Sequence, residues 1–252
     1  MKLSVCLPIV FPNVPMDEAM RQVGAIGYQY AECWQVRDEE VPALRRAMQE
    51  SGVSLLSIVA DDFSLNIPQN RSAWLAALEH TAKRASELGA PYIVTQVGQD
   101  SGEPMAVQYA SVIDGLRSAL GILNAYGVTL LIEPLNTRVD HKGYILEHSS
   151  DAFAIVDAVG SPLVRVVYDI YHQQISEGDI IATVTANLDK IVHLHAAANP
   201  GRHEIFLGEN DYRVIARAID DAGYHGAMTL EYKPTLAPKE SLQATLEYMK
   251  CK

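Results

Sequence analysis

Four short apolar runs in the second half of the chain each end on a residue able to ligate a divalent metal. Val128 to Ile132 runs into Glu133, Val164 to Tyr168 into Asp169, Ile191 to Leu194 into His195, and Ala227 to Leu230 into Glu231. Successive ends are 36, 26 and 36 residues apart, about the length of one strand, one helix and two loops. The four residues therefore fall at the same end of four successive parallel strands. A sheet that closes on itself would gather them at the C-terminal mouth of a barrel.

The rest of the chain repeats this unit. Leu3 to Leu7 reads as a first strand closed by Pro8, and Pro15 to Ile26 as a helix with Asp17 and Glu18 in its first turn. Tyr28 to Trp34 is a second strand, with Glu32 near its end. Glu39 to Ser51 is a helix stopped by Gly52, and Val53 to Ala60 a third strand. A polar loop from Asp61 to Arg71 precedes a helix over 72–88. Pro91 to Val97 is a fourth strand, Met105 to Tyr126 a long helix. Ser149 or Ser150 caps a helix running to Val159, and further helices cover 177–187, 211–222 and 239–249. Eight strand–helix alternations with right-handed crossovers make either a closed barrel or an open doubly wound sheet. No strand runs into a Gly-x-Gly-x-x-Gly turn, so the dinucleotide fingerprint of the open sheet is missing. The expectation is a single-domain (β/α)8 TIM barrel over 1–252, close to the roughly 250 residues such a barrel needs. Strand alternation places Arg165 inside its bottom, tolerable only if the charged head reaches water.

Composition narrows the partners. A net charge of −11 with no lysine or arginine cluster disfavours nucleic acid. Cys6, Cys33 and Cys251 are odd in number and lack metal-ligand spacing, which suits a reducing compartment. No apolar run approaches the roughly 18 residues of a membrane span. The expected setting is cytoplasmic, with no membrane partner.

Three carboxylates and one imidazole form an oxygen-rich set suited to Mg²⁺ or Mn²⁺. A metal held by Glu133, Asp169, His195 and Glu231 would polarise a carbonyl and chelate a neighbouring hydroxyl. Glu133 and Glu231, on the fifth and eighth strands, are placed to flank a substrate and move its proton. His172, three residues past Asp169, either bonds substrate or orients Asp169. His193, two before His195, reads as a buried hydrogen-bonded histidine. Arg202 offers a planar fork for a carboxylate or a hydroxyl pair, against a surface ion pair with Glu204 or Glu209.

Leu131-Ile132-Glu133-Pro134-Leu135-Asn136-Thr137-Arg138, Tyr168-Asp169-Ile170-Tyr171-His172, Pro200-Gly201-Arg202-His203-Glu204 and Leu230-Glu231-Tyr232-Lys233-Pro234 carry a resemblance. With them the chain resembles the hydroxypyruvate isomerase group of the xylose-isomerase-like barrels, which also hold the ketose 3-epimerases. The resemblance implies a barrel that interconverts a small keto acid or keto sugar and its isomer through a cis-enediol, and implies a homo-oligomer. It implies that Glu133 and Glu231 bind metal and move protons, that Asp169 and His195 complete the coordination, and that His172 and Arg202 touch substrate. His195 stands where hydroxypyruvate isomerases usually have Gln and the epimerases have His, whereas Val139 replaces an acidic epimerase contact. Hydroxypyruvate or a 2-oxo-tetronate is the expected substrate. A ketose 3-epimerase and a keto-cyclitol dehydratase are the alternatives.

Overall fold

A computed structural model describes residues 1–61 and 63–250; Cys251 lies outside them. Eight strands, β1 (Lys2–Cys6), β2 (Tyr30–Cys33), β3 (Ser54–Val59), β4 (Tyr92–Thr95), β5 (Thr129–Ile132), β6 (Val164–Asp169), β7 (Ile191–Ala196) and β8 (Ala227–Leu230), pair in chain order. All pairs are parallel. The ring closes where Lys2 to Val5 lie beside Ala227 to Leu230. The helices are α1 (Leu7–Val10), α2 (Met16–Ile26), α3 (Val41–Ser51), α4 (Arg71–Leu88), α5 (Met105–Tyr126), α6 (Ser149–Val159), α7 (Ile170–Ser176), α8 (Ile180–Ala186), α9 (Tyr212–Asp221) and α10 (Pro238–Lys250). The expected (β/α)8 TIM barrel is the observed architecture.

Several ends differ from the sequence reading, each for a local reason. β1 stops at Cys6 because Leu7 and Pro8 open a single helical turn, whose first positions tolerate a missing N–H. Neither Ser149 nor Ser150 caps α6; His148 is the N-cap residue, and the Ser149 hydroxyl instead donates to Glu177 at 2.5 Å. The helix expected from Glu177 begins at Ile180, because Gly178 and Asp179 take left-handed backbone (φ 73° and 48°) that a helix cannot include. α7 is an element the periodicity does not show. It springs from the last residue of β6 without a loop, its start fixed by the Asp169 carboxylate, which accepts from the backbone N–H of Tyr171 (2.8 Å) and His172 (3.3 Å).

Two apolar zones sit on either side of the strands. The larger lies between strands and helices; a smaller one inside the ring is Val94, Leu131 and Val167, bordered by Val59, Tyr92 and Val192. That plug closes the barrel under the C-terminal mouth. Arg165 is half-buried at the opposite end, where its guanidinium donates to the carbonyls of Ser161 (2.8 Å) and Val164 (2.9 Å). It lines an open pocket there with Ser161, Asp189 and Lys190, so the charged head has access to water. Among the described residues no helix is long and apolar enough to cross a membrane.

Candidate active site

A cavity of about 380 Å³ opens at the C-terminal mouth, at the small end of the range for ligand pockets. Glu133, His195, Glu231, His172 and Arg202 line it, with Gln35, Gln96, His141 and Lys233 among its other polar groups. Asp169 lies beneath, 1% exposed. The inward-facing positions of β5 to β8 bring Glu133, Asp169, His195 and Glu231 together, each with one ligand atom within 4.8 Å of the others. Glu133 and Glu231 do not stand apart across the mouth. They meet at His195, whose Nδ1 lies 2.9 Å from Glu133 Oε1 and 3.5 Å from Glu231 Oε2.

The electrostatics follow from packing three carboxylates around one imidazole under a low-dielectric roof. Burial works against a charge on His195, but Glu133, Glu32 and Glu231 overcome it and hold the imidazole pKa well above its usual value. Burial pushes the Asp169 carboxyl up to about 7, opposed by Arg202 and reinforced by Glu231. Burial also raises Glu231, yet His195 and Arg202 win and hold it well below the usual carboxylate range. A site that draws a positive charge onto its histidine this strongly is chemically matched to a dication. The donor set, three oxygens and one nitrogen, fits Mg²⁺ or Mn²⁺ rather than a sulfur-seeking metal.

Glu32 is the residue whose place no local spacing reveals. From β2 it sets one oxygen 3.1 Å from His195 Nε2 and the other 2.5 Å from His193 Nε2. His193, fully buried, also lies 3.0 Å from Thr229 Oγ1. With its Nε2 held by Glu32, the His195 ring presents Nδ1 to the Glu133 side, the arrangement that would fix a metal-ligating histidine in orientation and tautomer.

His172 is held from the other side. Its Nδ1 faces the Asn136 amide nitrogen at 2.6 Å and its backbone N–H at 3.2 Å. The Asn136 amide cannot be turned round, because its oxygen already accepts from the N–H of Val139 (2.9 Å) and Asp140 (3.2 Å). Nδ1 is therefore an acceptor and Nε2 carries the hydrogen. Burial and Arg202 lower the imidazole pKa, so the ring is neutral. Among the described residues its Nε2–H has no hydrogen-bond partner, the nearest carboxylate oxygen being Asp169 Oδ2 at 3.6 Å. A buried donor without a partner, at a cavity wall, is a group shaped for a ligand oxygen.

Arg202 pairs with neither Glu204 nor Glu209. Its Nη2 donates to Glu231 Oε2 at 2.7 Å, and its guanidinium lies 5.3 Å from the Tyr171 ring centroid. Glu204 instead accepts from the backbone N–H of Thr235 (2.8 Å) and Leu236 (3.3 Å) and from the Thr235 hydroxyl (3.0 Å), tying the loop after β7 to that after β8. Glu209 accepts from Asn199 at 2.9 Å and from Gln174 at 3.3 Å. Trp34 Nε1 reaches Glu231 Oε1 at 3.4 Å, and the Cys6 thiol lies 3.8 Å from the same oxygen. Glu231 is thus clamped on several sides, Glu133 on fewer.

Comparison with known proteins places this geometry among relatives. The chain is 27% identical over 252 residues to the hydroxypyruvate isomerase of Escherichia coli K12, covering 96% of this chain and 97% of that one. A 2-oxo-tetronate isomerase of Cupriavidus necator is 39% identical over 125 residues, half of this chain and 48% of the other. Among solved structures, one titled AP endonuclease, family 2, from Brucella melitensis superposes with a TM-score of 0.92 at 24% identity, covering 98% of both chains; that likeness concerns the fold alone. The family model described as xylose isomerase-like TIM barrel matches residues 20–251, and the chain belongs to that family.

Proposed function

We propose that the chain, working as one barrel domain, isomerises a small keto acid with the help of a divalent cation, Mg²⁺ or Mn²⁺. The substrate is hydroxypyruvate, converted to tartronate semialdehyde, or a close 2-oxo-tetronate. The observation that carries this reading is the buried Glu133, Asp169, His195 and Glu231 cluster lying against a small cavity with a waiting neutral donor, His172. The names of the relatives point to the same chemistry.

Those four residues would hold the cation, which when bound polarises the substrate carbonyl and offsets enediolate charge. The remaining work falls to side chains. One of the two glutamates takes a proton from C3 of hydroxypyruvate, leaving a cis-enediol across C2 and C3. The proton returns at C2 while the hydroxyl hydrogen leaves O3 and O2 gains one, giving the aldehyde. Glu133, the less encumbered carboxylate, suits the first transfer. Glu231, held by Arg202, suits charge balance and the return step. His172 Nε2–H donates to a substrate oxygen, and Arg202 keeps Glu231 in place while its remaining N–H groups face the substrate.

Proton NMR in D₂O tests this directly. Metal-stripped protein should leave the hydroxypyruvate methylene signal intact, and added Mg²⁺ should bring loss of that signal and appearance of product. No exchange with Mg²⁺, and no product with Mn²⁺, sinks the proposal. His195, the residue found at this position in ketose 3-epimerases, favours a second reading. Exchange confined to C3 of fructose or tagatose would put that reading first.

A further inference from the structure

We propose that Lys233 is the residue that selects an anionic substrate, binding the carboxylate of the keto acid at the cavity rim. The inference rests on the keto-acid reading and names the group by which such a substrate is told from a neutral ketose.

The argument begins with charge. Glu133 and Glu231 line the cavity and Asp169 lies under it, so a carboxylate entering the site needs a cation away from that cluster. Arg202 lies on the same wall, but its charge is already matched. It donates to Glu231 Oε2 at 2.7 Å, turns its Nε toward the Glu231 carbonyl at 3.4 Å, and rests against Tyr171. Drawing it onto a substrate carboxylate would take from Glu231 the nearer of its two counter-charges, the other being His195 at 3.5 Å.

Lys233 is the remaining lysine or arginine on the cavity wall. No carboxylate among the described residues comes within ion-pair distance of its ammonium, whereas Arg202 beside it, and Lys190 in the loop before β7, are both paired. Its backbone is fixed on both sides although its side chain is exposed. The N–H donates to the Arg202 carbonyl at 2.7 Å, and the carbonyl lies 2.9 Å from His203 Nδ1. That double attachment sets the root of the side chain beside the mouth, two residues beyond Glu231. A flexible ammonium on a fixed root can meet an incoming carboxylate without disturbing the cluster.

The test compares the full-length wild type with Lys233→Met, which keeps length and removes charge, and Lys233→Arg, which keeps charge. All three are loaded with Mg²⁺, and circular dichroism checks folding. With hydroxypyruvate, Lys233→Met should raise KM by about 10-fold or more, the scale of one charge-assisted hydrogen bond, with kcat within about 3-fold. The fall of kcat/KM with added NaCl should flatten in the Met variant and persist in the Arg variant. A KM for the Met variant within about 2-fold of wild type overturns the proposal.

A second arm does not depend on turnover. Calorimetric titration with D-glycerate, an anion lacking the carbonyl, should show affinity lost by about 10-fold in Lys233→Met, with dihydroxyacetone as the uncharged control. If the wild type fails to isomerise hydroxypyruvate but D-glycerate binding still depends on Lys233, the functional reading falls and this inference stands. Equal D-glycerate affinity in wild type and Met variant, or no binding to either, overturns the inference whatever the turnover shows.

Discussion

Glu133 and Glu32 make the sharpest contrast at the scale of single residues. Glu133 faces the cavity and touches His195, so its loss should fall on the chemical step. Glu133→Gln is expected to lower kcat by about 10²- to 10⁴-fold, the worth of a general base, with the fold intact by circular dichroism. A loss below about 10-fold would remove it from proton transfer. Glu32 is 3% exposed and contacts His195 rather than the cavity. Glu32→Gln should weaken Mn²⁺ binding by about 10- to 100-fold, as losing the partner of a ligating histidine does, measured by titration of the metal's EPR signal. Unchanged affinity would reduce Glu32 to a buried packing group. The sequence makes Glu133 conspicuous because it ends an apolar run just before a proline. It leaves Glu32 silent, since the partner of Glu32 lies 163 positions away and only ring closure brings the two together. Asn136 is silent for a related reason: a polar residue in a loop shows nothing of the tautomer it imposes on His172.

At the scale of elements, the long repeats were legible and the short connectors were not. α5 and β6 have the same bounds in sequence and structure, because a 22-residue helix closing on Gly127 and a β-branched run ending on an acid leave little ambiguity. α7 has seven residues, too few for periodicity to register, and its one signal is an aspartate placed to cap it. The loops after β7 and β8 hold Arg202 and Lys233, and Glu204 staples them together. Glu204→Ala would orphan two backbone N–H groups and a hydroxyl; the expected cost is about 2–3 kcal/mol, read as a lower urea midpoint at constant slope. An unchanged midpoint would show that water replaces the staple freely. The pH dependence has a definite sign. Burial raises the Glu204 pKa, but its hydrogen bonds outweigh this and depress it below the ordinary value. The unfolded chain therefore takes up the proton first as pH falls. This contribution is complete above about pH 5 and is lost as pH drops through the lower folded pKa. Wild type and Glu204→Ala should thus draw together in stability as pH falls below the ordinary carboxylate range, and a gap that does not narrow there would assign the effect to packing.

The whole molecule adds what no element holds. The candidate ligands come from four strands, β5 to β8, so a bound cation should act as a brace on the folded state alone. At about 100 times its Kd it would add roughly 2.7 kcal/mol, or about 5–10 °C in Tm for a chain of this size, reversed by chelator. No shift with Mg²⁺ or Mn²⁺ would mean the cluster holds no such ion. The fold class was readable because eight alternations in a chain of this length leave few topologies. The order in which the ring shuts was not. Glu32 from β2 meets His195 from β7 across the interior, and Cys6 from β1 meets Glu231 beyond the end of β8. The candidate site is therefore a clasp, incomplete until the first and last strands have found each other. During refolding, helix signal should return before turnover does, and enzyme activity becomes a clock for the final seam of the barrel.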